Sequence, residues 1–272
     1  MFKKLRRRLW KQPYEPRRTF DAYVSAAPSA QNAVDAVPGW SSSFPPEYGV
    51  TAGALATYLD RRIQWAMEQF GPLEGKDVLE LGPLEAGHTV MLERAGARID
   101  AVEANQLAFL RCLIAKEIYG MTGARFWLGD FIQFLEQTDK TFDLIVASGV
   151  LYHLTDPLHL IELIGRRTTA VYIWTHLVSD AMPPNDPRRS VFLPETEHVD
   201  FHGADIRAYR RSYLDAHENP AFCGGMHDEH RWLHRDDLLE ALRRVGFTRI
   251  ETTHDEPDHR FGPALSIFAS KE

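Results

Sequence analysis

From about residue 50 onward, short apolar runs alternate with longer stretches in which apolar residues recur every three or four positions. The runs at about 77–81, 98–103, 124–129, 142–148 and 170–175 predict buried strands, and those at about 87–95, 105–119, 131–137 and 157–165 predict helices. Leu110, Leu113, Ile114 and Ile118 share one helical face, and Asp156-Pro157 is a cap and first-turn pair for the fourth helix. Upstream, Leu55, Leu59, Ile63, Met67 and Phe70 predict a helix capped by Thr51 and closed by Gly71. Downstream, Asp236 opens a helix through Leu238, Leu239, Leu242 and Val245, and FTRIE and ALSIFAS supply two last strands. Alternation of this kind predicts an α/β fold: a mostly parallel sheet with helices on both faces.

Two segments fall outside that pattern. Asp21 to Pro46 is rich in Ala, Ser and Pro and predicts an extended leader, so residues 1–50 read as an N-terminal arm and 51–272 as the folded domain. About 60 residues separate the fifth strand from the last helix, far more than a usual connection. Aromatic residues Phe192, Phe201, Tyr209, Tyr213, Phe222 and Trp232 stud this insertion, which predicts a substrate lid over 176–234.

At 272 residues the chain can bury one large core. Its two cysteines, Cys112 and Cys223, imply no disulfide framework and a reducing compartment. There is no apolar run of about 18 residues, as a membrane span needs. The opening MFKKLRRRLWKQ lacks the apolar segment of a secretory signal, so a cytoplasmic location is expected. Net charge is −7, but eight basic residues between Lys3 and Arg18 face only Glu15, leaving −14 on the body. A basic arm of that kind suits RNA phosphates or an anionic membrane; the acidic body argues against a broad RNA footprint.

Candidate chemistry concentrates in KDVLELGPLEAGHT, Lys76 to Thr89, and in the strand that ends at Glu103. Glu80 and Glu103 fall at the carboxyl ends of two parallel strands, where ligands of open α/β sheets bind and an acid can accept from both ribose hydroxyls. The run from Gly82 reads G-P-L-E-A-G, which fails the G-x-G-x-x-G of a pyrophosphate site and the Gly-Lys-Ser/Thr of a P-loop. A nicotinamide-dependent oxidoreductase is therefore disfavoured, and a phosphate-free adenosine cofactor with an ammonium group is favoured.

On these residues the chain resembles the class I S-adenosylmethionine-dependent methyltransferases, whose first motif is acid-x-Gly-x-Gly-x-Gly. Glu80, Gly82, Leu84 and Ala86 occupy its marked positions, with Gly87 one step later. EANQLAFLRC and SGVLYHLTDPLHLI give the nearest likeness, to the subgroup containing the tRNA wobble-uridine carboxymethyltransferases. The resemblance implies a Rossmann-like, seven-stranded, mostly parallel sheet, and S-adenosyl-L-methionine as cofactor, held by Glu80, Gly82, Leu84, Gly87, Glu103, Ala104, Asp130, Phe131, Ser148 and Tyr152. Glu103 takes the ribose position, and Asp130 and Phe131 the adenine position. It implies methyl transfer to oxygen or nitrogen of a small-molecule or saccharide acceptor. The alternatives are tRNA uridine, reached through the basic arm, and a non-catalytic binding module.

His153 and His176 lie just beyond strand ends and are the candidate general bases for a hydroxyl acceptor. His227, His230 and His234 have spacings that would bring them to one helical face, but no matching carboxylate motif accompanies them, so no metal is expected. Gly224-Gly225 reads as a tight turn beside the cleft.

Overall fold

Val78 and Leu79 are both fully buried at consecutive positions of the first strand, which is why that strand reads as a run and not as an alternation. The computed structural model describes residues 23–214, 216 and 224–272. Five strands are parallel: β1 (Asp77–Leu81), β2 (Arg98–Glu103), β3 (Ala124–Leu128), β4 (Leu144–Ser148) and β5 (Ala170–His176). The insertion carries β6 (Phe192–Phe201), β7 (Ala204–Ser212) and β8 (Glu229–Leu233), and the chain closes with β9 (Arg249–Glu256) and β10 (Ala264–Ser270). The main sheet runs β3-β2-β1-β4-β5-β10-β9, with β10 antiparallel to both neighbours.

Each face of this sheet has its own core. Leu79, Leu81, Ile145, Ile173 and Ile267 pack against α5 (Phe131–Gln137), α6 (Pro157–Arg167) and α7 (Arg235–Arg244). Val78, Leu144, Val146, Tyr172 and Phe268 pack against α2 (Arg61–Phe70), α3 (Gly87–Arg94) and α4 (Gln106–Tyr119). Glu80 shares the second face with Val78, two positions away, and so points toward α3.

The structure departs from the sequence reading at four places. The helix before β1 is capped by Asp60, whose carboxylate accepts from Arg62 N–H, and not by Thr51. Leu55 and Leu59 are 60% and 58% exposed, because the backbone at Leu55 pairs instead with Ser41 and Ser43. The predicted extended leader contains a helix, α1 (Ala30–Ala36), whose N-cap Ser29 accepts from Asn32 N–H, and Val34, Val37 and Phe44 are buried. The last helix begins at Arg235, one residue before the predicted opening, with His234 as its cap. Among its described residues the 176–234 insertion carries an antiparallel sheet, ordered β6-β7-β8, which the sequence pattern did not foretell. The eight basic residues between Lys3 and Arg18, and Cys223, lie outside the described residues. Among the described residues no helix is long and apolar enough to cross a membrane.

Candidate functional site

Strand order reverses between β1 and β4, and open α/β sheets bind ligands beyond the carboxyl ends of the strands at such a point. The chain leaves β1 through Gly82, Leu84 and Ala86, with φ of 66°, 55° and 62°. All three are left-handed, a conformation that costs a side-chain-bearing residue about 1–2 kcal/mol. These are the three positions at which the motif carries glycine, so the chain keeps the backbone while changing two of the residues. Local bonds hold it: Leu84 N–H donates to Glu103 Oε2 at 3.1 Å, and Cys112 Sγ donates to Leu84 O at 3.5 Å. Ala86 is fully buried, and its carbonyl accepts from Val90 N–H as α3 begins.

Between them Glu85 turns away and is 2% exposed. Its carboxylate accepts Ser41 N–H at 2.9 Å and Ser42 N–H at 2.5 Å, with Arg111 Nη1 at 3.4 Å. The leader is thereby fastened to the loop. Gly87 serves the same joint: a Cβ there would stand 2.0 Å from Thr57 Oγ1. Its position is against the leader side of the loop.

Glu80 is buried and accepts from Thr89 Oγ1 at 2.5 Å; burial pushes its pKa up. Glu103 is also raised by burial, against the backbone N–H groups of Asn105, Leu84 and Ala104 that favour its charged form. Asp130 caps α5 by accepting Ile132 N–H at 2.8 Å, and Phe131 packs partly buried on the core beside it. Ser148 ends β4 near Tyr172, whose phenol is hydrogen-bonded to Ser266 Oγ at 3.2 Å.

Beyond β4 and β5 lies a packed cluster of rings, a closed chamber in which Trp232 is 1% exposed. Tyr152 stands edge-on to His176, Trp174 and Trp232, at centroid distances of 4.7, 5.9 and 6.1 Å. His176 stacks on Trp232 at 5.2 Å and 11°. The insertion supplies one wall by simple alternation: Arg211 pairs with Phe192 and His230, and Tyr209 with Trp232, so these side chains share a face of the small sheet. The opposite face sends Ile206, Ala208 and Leu233 into the main core. The β9–β10 loop closes the far side, where Gly262 passes so near Trp232 that a Cβ would fall 2.6 Å from the ring. Gly225 likewise allows close approach, to the His153 carbonyl, and its N–H donates to the Tyr213 hydroxyl.

Protons in this chamber can be placed from the acceptors. His176 Nδ1 lies 3.0 Å from Gly262 O, and a carbonyl only accepts, so Nδ1 carries the proton and Nε2 the lone pair. His230 Nδ1 donates to Asp228 O in the same way, at 3.1 Å. His153 Nδ1 is hydrogen-bonded to the Tyr213 hydroxyl. Burial lowers all three, His153 to about 3 and His176 and His230 to about 4. They are neutral at physiological pH.

The histidines at 227, 230 and 234 have different surroundings, since the segment is a strand and not a helix. His227 is exposed, His230 faces the chamber, and His234 Nδ1 caps α7 and accepts from Arg207 at 2.9 Å. Among the described residues no group of three or more His, Cys, Asp or Glu side chains is placed to hold a metal. The sequence does not single out Glu85 or Arg211; the alternation over Tyr209, Arg211 and Tyr213 was the signal available for the latter. A separate apolar groove of 890 Å³ lies between α1 and α4, lined by Ala33, Val37, Leu110 and Ile114 among others, and shares no residue with this site.

The sheet order and the loop are those of the class I S-adenosylmethionine-dependent methyltransferase fold. The chain is similar to the N-terminal domain of EvdMO1, solved in the presence of SAH and D-fucose: TM-score 0.67, 23% identity, covering 89% of this chain and 95% of that one. Of the longer EvdMO1 structure it covers 46%. It is also similar to the 1,6-didemethyltoxoflavin-N1-methyltransferase of Burkholderia thailandensis, solved with 1,6-didemethyltoxoflavin and S-adenosylhomocysteine. That match has TM-score 0.52 and 16% identity, over 79% of this chain and 78% of that one. No family model and no curated protein matches the sequence.

Proposed function

We propose that this chain binds S-adenosylmethionine at the carboxyl ends of β1, β2 and β4 and transfers its methyl group to oxygen or nitrogen of a small-molecule or saccharide acceptor. The observation that carries this reading is the backbone from Gly82 to Ala86, left-handed at all three motif positions and flanked by Glu80 and Glu103. The D-fucose present with EvdMO1 and the toxoflavin precursor in the Burkholderia enzyme support a small acceptor.

Bound here, the cofactor supplies an electrophilic methyl group on a sulfonium. Glu103 is suited to a ribose: Oε2 takes Leu84 N–H and Oε1 takes Asn105 N–H, and each oxygen has a second lone pair for a hydroxyl. Glu80, a buried carboxylate with a raised pKa, is suited to the field of a cationic ligand, which restores its charged form. Tyr152 and the rings around it exclude water and orient the acceptor. For a hydroxyl acceptor, His176 Nε2, which holds the ring's lone pair, would accept the hydroxyl proton. In this reading residues 176–234 are a substrate lid on a 51–272 methyltransferase domain, residues 1–50 form an arm, and the location is cytoplasmic.

Calorimetry with S-adenosylmethionine and S-adenosylhomocysteine tests the proposal. Both are expected to bind, and Glu103→Gln to weaken binding by roughly tenfold or more, the loss of a charge-assisted pair. Absence of binding by either ligand would overturn it. The tRNA alternative draws on basic residues outside the described region, and no observation within the site favours it; a carboxylated cofactor co-purifying with the protein would reverse that preference.

A further inference from the structure

Four arginines lie on β7 and β8, and three have carboxylate partners. Arg207 pairs with Asp237 at 2.7 Å, Arg210 with Glu229 at 2.7 Å, and Arg231 with Glu197 at 2.6 Å. Arg211 has none among the described residues, and its Nε is buried without a hydrogen-bond partner. Its guanidinium lies 4.7 Å from the centroid of Trp232 and 6.0 Å from that of Phe192. Stacking of this kind uses the faces of the guanidinium and leaves its N–H edge for a ligand.

Among the described residues no carboxylate forms an ion pair with Arg211; Asp228 acts on the neighbouring His230 and accepts from Ser212 Oγ. The titratable groups whose fields act on Arg211 are Tyr213 and Tyr152, and its own charge is felt by His153, His176 and His230. All three histidines are neutral, and the Nδ1 protons of His176 and His230 are engaged with backbone carbonyls. Burial pushes the Arg211 pKa down, which is the response of a cation removed from water without a counter-ion. The cluster therefore presents a fixed positive charge, on a planar fork, among apolar rings, with a second guanidinium, Arg189, 5.5 Å from the Tyr209 centroid on the same wall.

We infer that Arg211 is the recognition site for a carboxylate carried by the acceptor. The inference rests on the methyltransferase reading only in taking the chamber as the acceptor's place. A single guanidinium matches a carboxylate bidentately, two parallel N–H groups meeting its two oxygens. The rings stacked around the fork suit an apolar or saccharide body attached to that carboxylate.

Benzoate, benzamide and phenyl phosphate are suitable probes, titrated into the full chain and followed by calorimetry and tryptophan fluorescence. Benzoate is expected to bind at least roughly tenfold tighter than benzamide, the scale of a charge-assisted pair. Arg211→Gln should abolish that preference, and Arg211→Lys should keep part of it, with folding of both variants verified by circular dichroism. No benzoate binding, equal binding of benzoate and benzamide, or an unchanged preference in Arg211→Gln would each overturn the inference. A preference for phenyl phosphate over benzoate would overturn the choice of carboxylate. S-Adenosylhomocysteine binding, measured on the same samples, separates the two proposals: its absence in the wild type removes the methyltransferase reading, whereas its retention in Arg211→Gln shows that only acceptor recognition has changed.

Discussion

Leu84 N–H donates to Glu103 Oε2 at 3.1 Å, so the residue that departs furthest from the glycine motif is also the one that joins the loop to the acid of the second strand. The bond is made by backbone, and any residue that holds φ near 55° preserves it.

Leu84→Gly should therefore leave stability within about 1 kcal/mol of the parent. Relief of left-handed strain, about 1–2 kcal/mol, is offset by the greater unfolded-state freedom of glycine, about 0.5–1 kcal/mol. Leu84→Val places a branched Cβ at the same φ and should cost more than roughly 1 kcal/mol. Thermal denaturation checks both; a valine variant as stable as the glycine variant would contradict the strain argument.

Glu85→Ala removes the acceptor of two backbone N–H groups and leaves Arg111 without its carboxylate. A loss of about 3–5 kcal/mol is expected, the scale for breaking a buried pair. Limited proteolysis should then cleave the leader around Ser41–Thr51 much faster than in the wild type. Equal cleavage rates would show that the carboxylate does not hold the leader.

Glu80 has a folded-state pKa raised above the ordinary 4.5, so its ionised form opposes folding, and stability falls as pH rises through the interval above 4.5. Glu80→Gln should be no less stable than the wild type at pH 7, with its relative advantage shrinking toward pH 4. Cofactor affinity should drop by roughly tenfold or more. Greater stability together with undiminished binding would remove Glu80 from the site.

The three chamber histidines run the other way. Their folded pKa values, about 3 for His153 and about 4 for His176 and His230, lie below the unfolded 6.5, so stability is lost as pH falls from 6.5 toward 4. Each proton taken up only by the unfolded chain contributes at most about 1.4 kcal/mol per pH unit. His230→Asn should flatten the stability–pH profile by that amount, read from denaturant midpoints between pH 4 and 7. An unchanged slope would mean that His230 titrates normally.

The central strands were legible because β1 and β4 are buried on both faces, which leaves an apolar run in the sequence. The helix before β1 was misread for a related reason. Leu55 and Leu59 fall on the helical spacing by coincidence, while the operative signal was the Asp60 cap. The nucleotide loop was only half legible, since what the site demands is a left-handed backbone at residues 82, 84 and 86, and glycine is merely its commonest carrier. The chamber wall was hidden because charged residues end both faces of β7: Arg210 follows Ile206 and Ala208 on the core face, while Arg211 follows Tyr209 on the other.

That two-sided construction separates what the insertion recognises from what keeps it folded. Ala208, Arg210, Arg231 and Leu233 hold the small sheet through core contacts and ion pairs, while Phe192, Tyr209, Arg211, His230 and Trp232 share the face proposed to meet the acceptor. Exchange of the second set against a constant first set would let one scaffold evolve through successive acceptors, changing its chemistry of recognition without passing through an unfolded ancestor.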